Sequence, residues 1–387
     1  MPGLLPNVDP DGLLDYSVVY TDRALNHMSQ RFQQVMRDLS AMLRQAYDAQ
    51  HAVIVPGSGS FGMEAVARQY VQGGRVVIVR NGWFSYRWTQ IIEQGRLTDA
   101  ANVTVCKARR TGSGAQAPFA PAPIDEVVAT IRRERPAVVF APHVETSAGM
   151  MLPDGYLQAV GAAAREVGGL FVLDCIASGA MWVDMAACNV DVLVSAPQKG
   201  WSGPPCCGMV MLNDRAAQQL DATQSDSFSC DLKKWHQIMQ AYLNGGHAYH
   251  ATMPTDALAQ VRDVMREAFD VGLPKLREQQ IALGRAVRDS LERRGLVSVA
   301  AAGFQAPGVV VSFTTDPDVQ TGKKFAAAGV QIAAGVPLAL DEGPDYKSFR
   351  IGLFGLDKWA DVPAAVRRLD AALDAAGLRT QVQPQPA

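Results

Sequence analysis

The sequence has no excess of basic charge: 36 lysines and arginines stand against 38 acidic residues, a net charge of −2. Nucleic acids and anionic membrane surfaces are bound through basic patches, so neither is expected as a partner. Cysteine is scarce as well. The six cysteines, at 106, 175, 188, 206, 207 and 230, show no CxxC spacing and nothing like the density of a disulfide-stapled secreted domain. Adjacent Cys206 and Cys207 are poorly placed to ligate one tetrahedral metal ion, so no metal site is expected. The thiols read as free ones of a reducing compartment. No stretch has the uncharged apolar length of a membrane span, and MPGLLPNVDPDGLLDY has no basic segment leading into an apolar one. What remains is a cytoplasmic protein whose ligands are small molecules.

The 387 residues, 48% of them hydrophobic, suffice for a large core and more than one domain. Apolar runs alternate with amphipathic stretches through the first two-thirds: AVIVP, RVVIVRN, NVTVCKA, AVVFAPH, LFVLDCIAS and DVLVSAP, with MEAVARQYVQ and YLQAVGAAAREVG among the helical patterns between them. Short valine-rich runs separated by helices predict an α/β domain with a doubly wound, mostly parallel or mixed sheet. From about residue 256 the texture changes to two long helical patterns, the strand-like VVVSF and FRIGLFG, and a last helix. The expected organisation is an N-terminal arm (1–25), a large α/β domain (26–255), a small α+β domain (256–378) and a disordered tail (379–387).

Ligands of open α/β sheets sit at the carboxyl ends of strands. After AVIVP comes Gly57-Ser58-Gly59-Ser60-Phe61-Gly62, a GxGxxG string entering a helical pattern. Such a turn offers backbone N–H groups and a positive dipole end to any phosphate. A dinucleotide site also wants an acidic residue at the end of the next strand. RVVIV ends instead in Arg80 and Asn81, which argues against NAD.

LFVLDCIAS places Asp174 as an apolar strand ends, and DVLVSAPQKG places Lys199 just past the next one. A lysine near buried strand ends implies either a salt bridge or covalent use of its amine. With a phosphate loop beside them, these residues match what pyridoxal phosphate needs: a lysine, an acid at the pyridine nitrogen and a phosphate cradle. It also needs a flat group on its ring, and Trp83 or Phe84 of NGWFSYRW can supply one.

In this order the motifs resemble the class V aminotransferases among fold type I pyridoxal phosphate enzymes, in the alanine-glyoxylate and serine-glyoxylate branch. The resemblance runs from about Asn26 to Gly377. It implies a mostly parallel seven-stranded sheet sandwiched by helices, with a smaller C-terminal domain. GSGSFGMEA is similar to the family's phosphate loop, implying that Ser58, Gly59 and Ser60 take the phosphate. The NG-x-aromatic motif puts the stacking ring at Phe84. HVETSAG implies Thr146 at the ring hydroxyl. DCIAS implies Asp174 at the ring nitrogen and Ile176 on the opposite ring face, and QKGWSGPP makes Lys199 the Schiff-base lysine with Gln198 near the phosphate. AYHATMPT resembles a segment that crosses a homodimer interface, so Tyr249 and Thr252 are expected at the phosphate of the partner's cofactor. FRIGLFG implies that Arg350 grips the substrate carboxylate, a task suited to a planar guanidinium fork.

The implied activity is ping-pong transfer of an amino group from alanine or serine, with aspartate a further candidate, to a 2-oxo acid such as glyoxylate or pyruvate. A G-P-containing segment common near the family's active site is absent; DYSVVYTDRALNHMSQRF stands there. One alternative is a transaminase of aminophosphonates or other amines, expected to depend less on Arg350. A cysteine desulfurase-like lyase lacks its nucleophile here, because no cysteine follows Cys230. A non-catalytic binding module has no need of Lys199 and Asp174.

Overall fold

Each of the six apolar runs is a strand in the computed structural model, which describes residues 13–380. They are β1 (His51–Pro56), β2 (Val76–Arg80), β3 (Val103–Lys107), β4 (Val138–Pro142), β5 (Leu170–Asp174) and β6 (Val192–Ser195). A seventh, β7 (Cys207–Leu212), completes a sheet of order β1-β7-β6-β5-β4-β2-β3. β7 pairs antiparallel with both β1 and β6, and all other pairings are parallel, so a single strand runs against the rest. β2, β4, β5, β6 and β7 are buried at every position, which is why their sequences show apolar runs and not alternation.

Helices cover the sheet through apolar stripes, among them α4 (Ile124–Glu134), α5 (Asp154–Glu166) and α6 (Asp214–Ala222). α1 (Gln30–Tyr47) is capped by Ser29, whose hydroxyl accepts the Phe32 N–H at 3.1 Å, and buries Phe32, Val35, Met36, Leu39 and Leu43. That three-and-four spacing is one helical face. α1 packs on α7 (Leu232–Leu243) and α8 (Thr255–Val271). α8 ends at Gly272, whose φ of +98° turns the chain into α9 (Leu273–Glu292). Beyond α9 lies a second, antiparallel sheet of order β8-β10-β9, made by β8 (Val309–Phe313), β9 (Ala333–Ala334) and β10 (Ser348–Gly352). The last helix, Val362–Ala375, lies against α9. One hydrophobic core joins the large sheet to Val310, Phe349 and Ile351 of the small one. The first twelve residues of the expected arm and residues 381–387 of the expected tail lie outside the described residues.

The parallel strands deliver their C-terminal ends to one edge, and α2 (Gly59–Tyr70) starts there. Two glycines let α2 approach β7 backbone to backbone. A Cβ on Gly208 would sit 2.8 Å from both Cα and N of Gly62 and 2.9 Å from the Ser58 carbonyl. Backbone cannot swing aside as a side chain can. Gly208→Ala is therefore expected to displace α2 and destabilise the protein by about 1–3 kcal/mol, the usual cost of overpacking. Thermal unfolding checks this, and an unchanged midpoint would contradict the close approach.

Candidate active site

α2 opens with Ser58 extended at its N-cap, its hydroxyl making no capping bond. The first turn bond runs from Gly62 N–H to Ser58 O at 3.1 Å, so the N–H groups of Gly59, Ser60 and Phe61 precede it and point outward at the positive end of the helix. Gly59 packs closely on Ile176: a Cβ there would lie 2.6 Å from Ile176 Cδ1 and would push that side chain aside. A cavity of about 210 Å³ adjoins this turn.

Its wall collects Ser58, Gly59, Ser60, Phe84, Thr146, Asp174, Ile176, Gln198 and Lys199 from five separate motifs. Asp174 is 6% exposed, and its Oδ1 accepts the Ile176 N–H at 2.9 Å. That is the carboxylate's one hydrogen bond among the described residues, and burial pushes its pKa up to about 6. Lys199 is pushed below the usual lysine range, first by burial and then by the charge of Arg350. Its Nζ lies 5.4 Å from the centre of the Phe354 ring and pairs with no carboxylate among the described residues. Of the two uses open to a lysine here, the ion pair with Asp174 is not formed. Both groups face the same cavity unspent.

Phe84 is held there by Glu145, a fully buried carboxylate. Glu145 accepts the N–H groups of Phe84 (3.1 Å) and Ser85 (2.9 Å) at the N-terminus of α3 (Trp83–Gly95), and the hydroxyl of Ser85 at 2.7 Å. From its own loop it takes the N–H and hydroxyl of Ser147, at 3.1 and 2.7 Å. Gly82 makes room, because a Cβ there would meet Ser147 Oγ and the Glu145 carboxyl. Trp83, the competing aromatic, is not on the cavity wall; its backbone N–H donates to Ser147 Oγ and its ring lies against Tyr86.

Arg87 also lines the cavity and was not anticipated, although it follows Phe84 by three residues and so shares its face of α3. Arg350 stands just outside, on β10, with its Cζ 5.5 Å from the centre of the Phe84 ring. Its Nε is spent on the Ala334 carbonyl at 2.8 Å, while its terminal nitrogens have no hydrogen-bond partner among the described residues. Tyr249 and Thr252 do not reach this cavity. They bond to each other at 3.1 Å, and Tyr249 is 53% exposed. A larger hollow of about 540 Å³ runs along the edge strand β3, but two of its cations are already paired, Lys107 with Asp341 and Arg109 with Glu126.

Residues 13–339 match the family described as aminotransferase class-V. The chain belongs to that family. It is a pyridoxal phosphate-dependent transaminase of fold type I. It is 29% identical over 365 residues to a 2-aminoethylphosphonate–pyruvate transaminase of Burkholderia ambifaria, covering 93% of this chain and 91% of that one. Among solved structures, an alanine–glyoxylate aminotransferase from Nostoc sp. superposes with a TM-score of 0.75 at 22% identity, over 90% of this chain and 88% of that one. A ureidoglycine–glyoxylate aminotransferase from Bacillus subtilis gives 0.74 at 21%, over 92% and 89%. Among the described residues, no helix is long and apolar enough to cross a membrane.

The raised pKa of Asp174 makes a stability prediction for the cofactor-free chain. Its carboxyl is neutral and costs nothing below about pH 4, the penalty grows as pH rises toward 6, and it is fully present above that. Asp174→Asn should gain on the order of 3 kcal/mol over the parent at about pH 8, relative to their difference at about pH 4. Denaturant unfolding at the two pH values measures it. A difference independent of pH would contradict the assignment.

Proposed function

We propose that the cavity is the cofactor site and that the enzyme interconverts alanine and pyruvate in one of its two half-reactions. The observation that carries the first part is a half-buried lysine and a buried carboxylate facing one cavity without pairing. The fit is tested by what the cavity leaves unspent: Asp174 Oδ2, the Lys199 amine, and the first N–H groups of α2. These are an acceptor for a ring N–H, a nucleophile for an aldehyde, and a cradle for a phosphate.

Pyridoxal phosphate, when bound, supplies an electron sink for the charge left on a donor's carbon after its proton is removed. Ser58, Gly59, Ser60 and Gln198 would hold the phosphate, Phe84 and Ile176 the two ring faces, and Thr146 the ring hydroxyl. Asp174 would keep the proton on the ring nitrogen. A depressed pKa leaves more of the Lys199 amine neutral near pH 7, as a base that takes the donor's proton and returns it needs. Arg350 holds the substrate carboxylate with the two nitrogens that β9 leaves free. Ping-pong kinetics follow, because both substrates use this one set of groups in turn.

Pyruvate as acceptor is supported by the names of curated relatives at 28–29% identity, and alanine is the amino acid that pyruvate becomes. Those same names favour a second reading, in which 2-aminoethylphosphonate is the donor. Its phosphonate sits one carbon further from the amine-bearing carbon than alanine's carboxylate does, so the two donors engage Arg350 differently. We also propose a cytoplasmic homodimer in which Tyr249 and Thr252 reach the phosphate of the partner's cofactor, with residues 26–255 and 256–378 as its two domains. Free thiols and the exposure of Tyr249 away from its own cavity support this.

The visible spectrum of the purified enzyme, recorded with alanine, serine, aspartate and 2-aminoethylphosphonate in turn, tests the donors. The yellow band is expected to fade with alanine, and persistence with alanine would overturn the proposed half-reaction. Arg350→Gln is expected to slow the alanine half-reaction by roughly a hundredfold, the loss of a bidentate charge-assisted pair. An effect within about twofold would remove Arg350 from the carboxylate site.

A further inference from the structure

Arg87 enters the cavity wall from α3, and the assignments above leave it without a task. Its guanidinium donates to Ser60 Oγ at 2.9 Å, in the turn that opens α2. Its Cζ lies 5.2 Å from the centre of the Phe84 ring. Ser60 is its one hydrogen-bond partner among the described residues, and no carboxylate pairs with it.

A phosphate monoester carries about 1.5 to 2 negative charges near pH 7, whereas a helix N-terminus answers with about half a positive charge. The groups assigned to the phosphate, Ser58, Gly59, Ser60 and Gln198 with Tyr249 and Thr252 of the second chain, are all neutral. Sequestering so much negative charge without a counter-cation is costly. Lys199 is assigned to the cofactor's aldehyde and to proton transfer, and Arg350 is tethered to Ala334 on the small sheet. Arg87 is the remaining cation on the cavity wall, and it already touches the cradle.

We propose that Arg87 is the counter-ion of the cofactor's phosphate. Ser60 Oγ orients the guanidinium, which then offers its other N–H groups to the phosphate. The same side chain lies over the ring of Phe84, so it ties the phosphate end of the site to the residue assigned to the ring face. This rests on the reading that the α2 turn holds that phosphate.

The test is equilibrium titration of the full chain, freed of cofactor, with pyridoxal phosphate and separately with pyridoxal, which lacks the phosphate. The parent, Arg87→Gln and Arg87→Lys are compared. Arg87→Gln should weaken pyridoxal phosphate binding roughly ten- to a hundredfold and leave pyridoxal within about twofold, with Arg87→Lys recovering part of the loss. Unchanged pyridoxal phosphate binding by Arg87→Gln overturns the proposal, and so does an equal loss for both ligands, which would mean that Arg87 acts through the ring face or the fold. If the parent itself fails to prefer pyridoxal phosphate over pyridoxal, the cradle reading falls and takes the proposal with it.

Discussion

The buried carboxylate of Glu145 is the constraint on which the site's geometry depends. Groups from α3 and from the loop after β4 converge on its two oxygens, so two segments some sixty residues apart are locked into one arrangement. A buried charge is tolerable only with such a complement of donors, and here they include the outward N–H groups of a helix start. The consequence reaches the chemistry. Phe84 stands on the cavity wall because Glu145 fixes the first turn of α3, and Phe84 in turn is the surface over which both Arg87 and Arg350 lie.

The cavity differs from its supports in how its charges are treated. Asp191, equally buried, is saturated by Arg215, Asn213 and a backbone N–H. Among the described residues, Asp174 has one hydrogen bond, Lys199 has no counter-ion, and Arg87 has a single hydroxyl. Unspent charge in a closed site costs stability and persists where a ligand completes it. The fold meets that cost with close packing beneath the cavity, where Gly62 and Gly208 bring α2 onto the sheet and Gly59 seats it against Ile176.

Much of this was legible in the sequence. Strands buried on both faces are apolar through most of their length, so runs such as VVIV, VVFA and LFVL announced themselves and the polar residues at and beyond their ends marked the site edge. β7 escaped notice because CGMVML follows directly on a proline-, glycine- and cysteine-rich loop and carries a single β-branched residue, Val210. The choice between Trp83 and Phe84 turns on the phase of a helix start, which depends on Glu145, a distant partner. Arg87 was visible three residues past Phe84, yet its meeting with Ser60 joins two different βα turns, a contact that local pattern does not encode. The exposed pair Tyr249 and Thr252 has no partner surface within one chain, and only the family resemblance gives it a role.

The central claim is that Lys199 is the residue through which the cofactor is attached. Borohydride reduction of the purified enzyme followed by peptide mass spectrometry tests it most directly. The account predicts one phosphopyridoxyl group per chain, on the peptide that carries Lys199, and none in Lys199→Ala. A reduced adduct on another lysine, or the same labelling in Lys199→Ala, would contradict it.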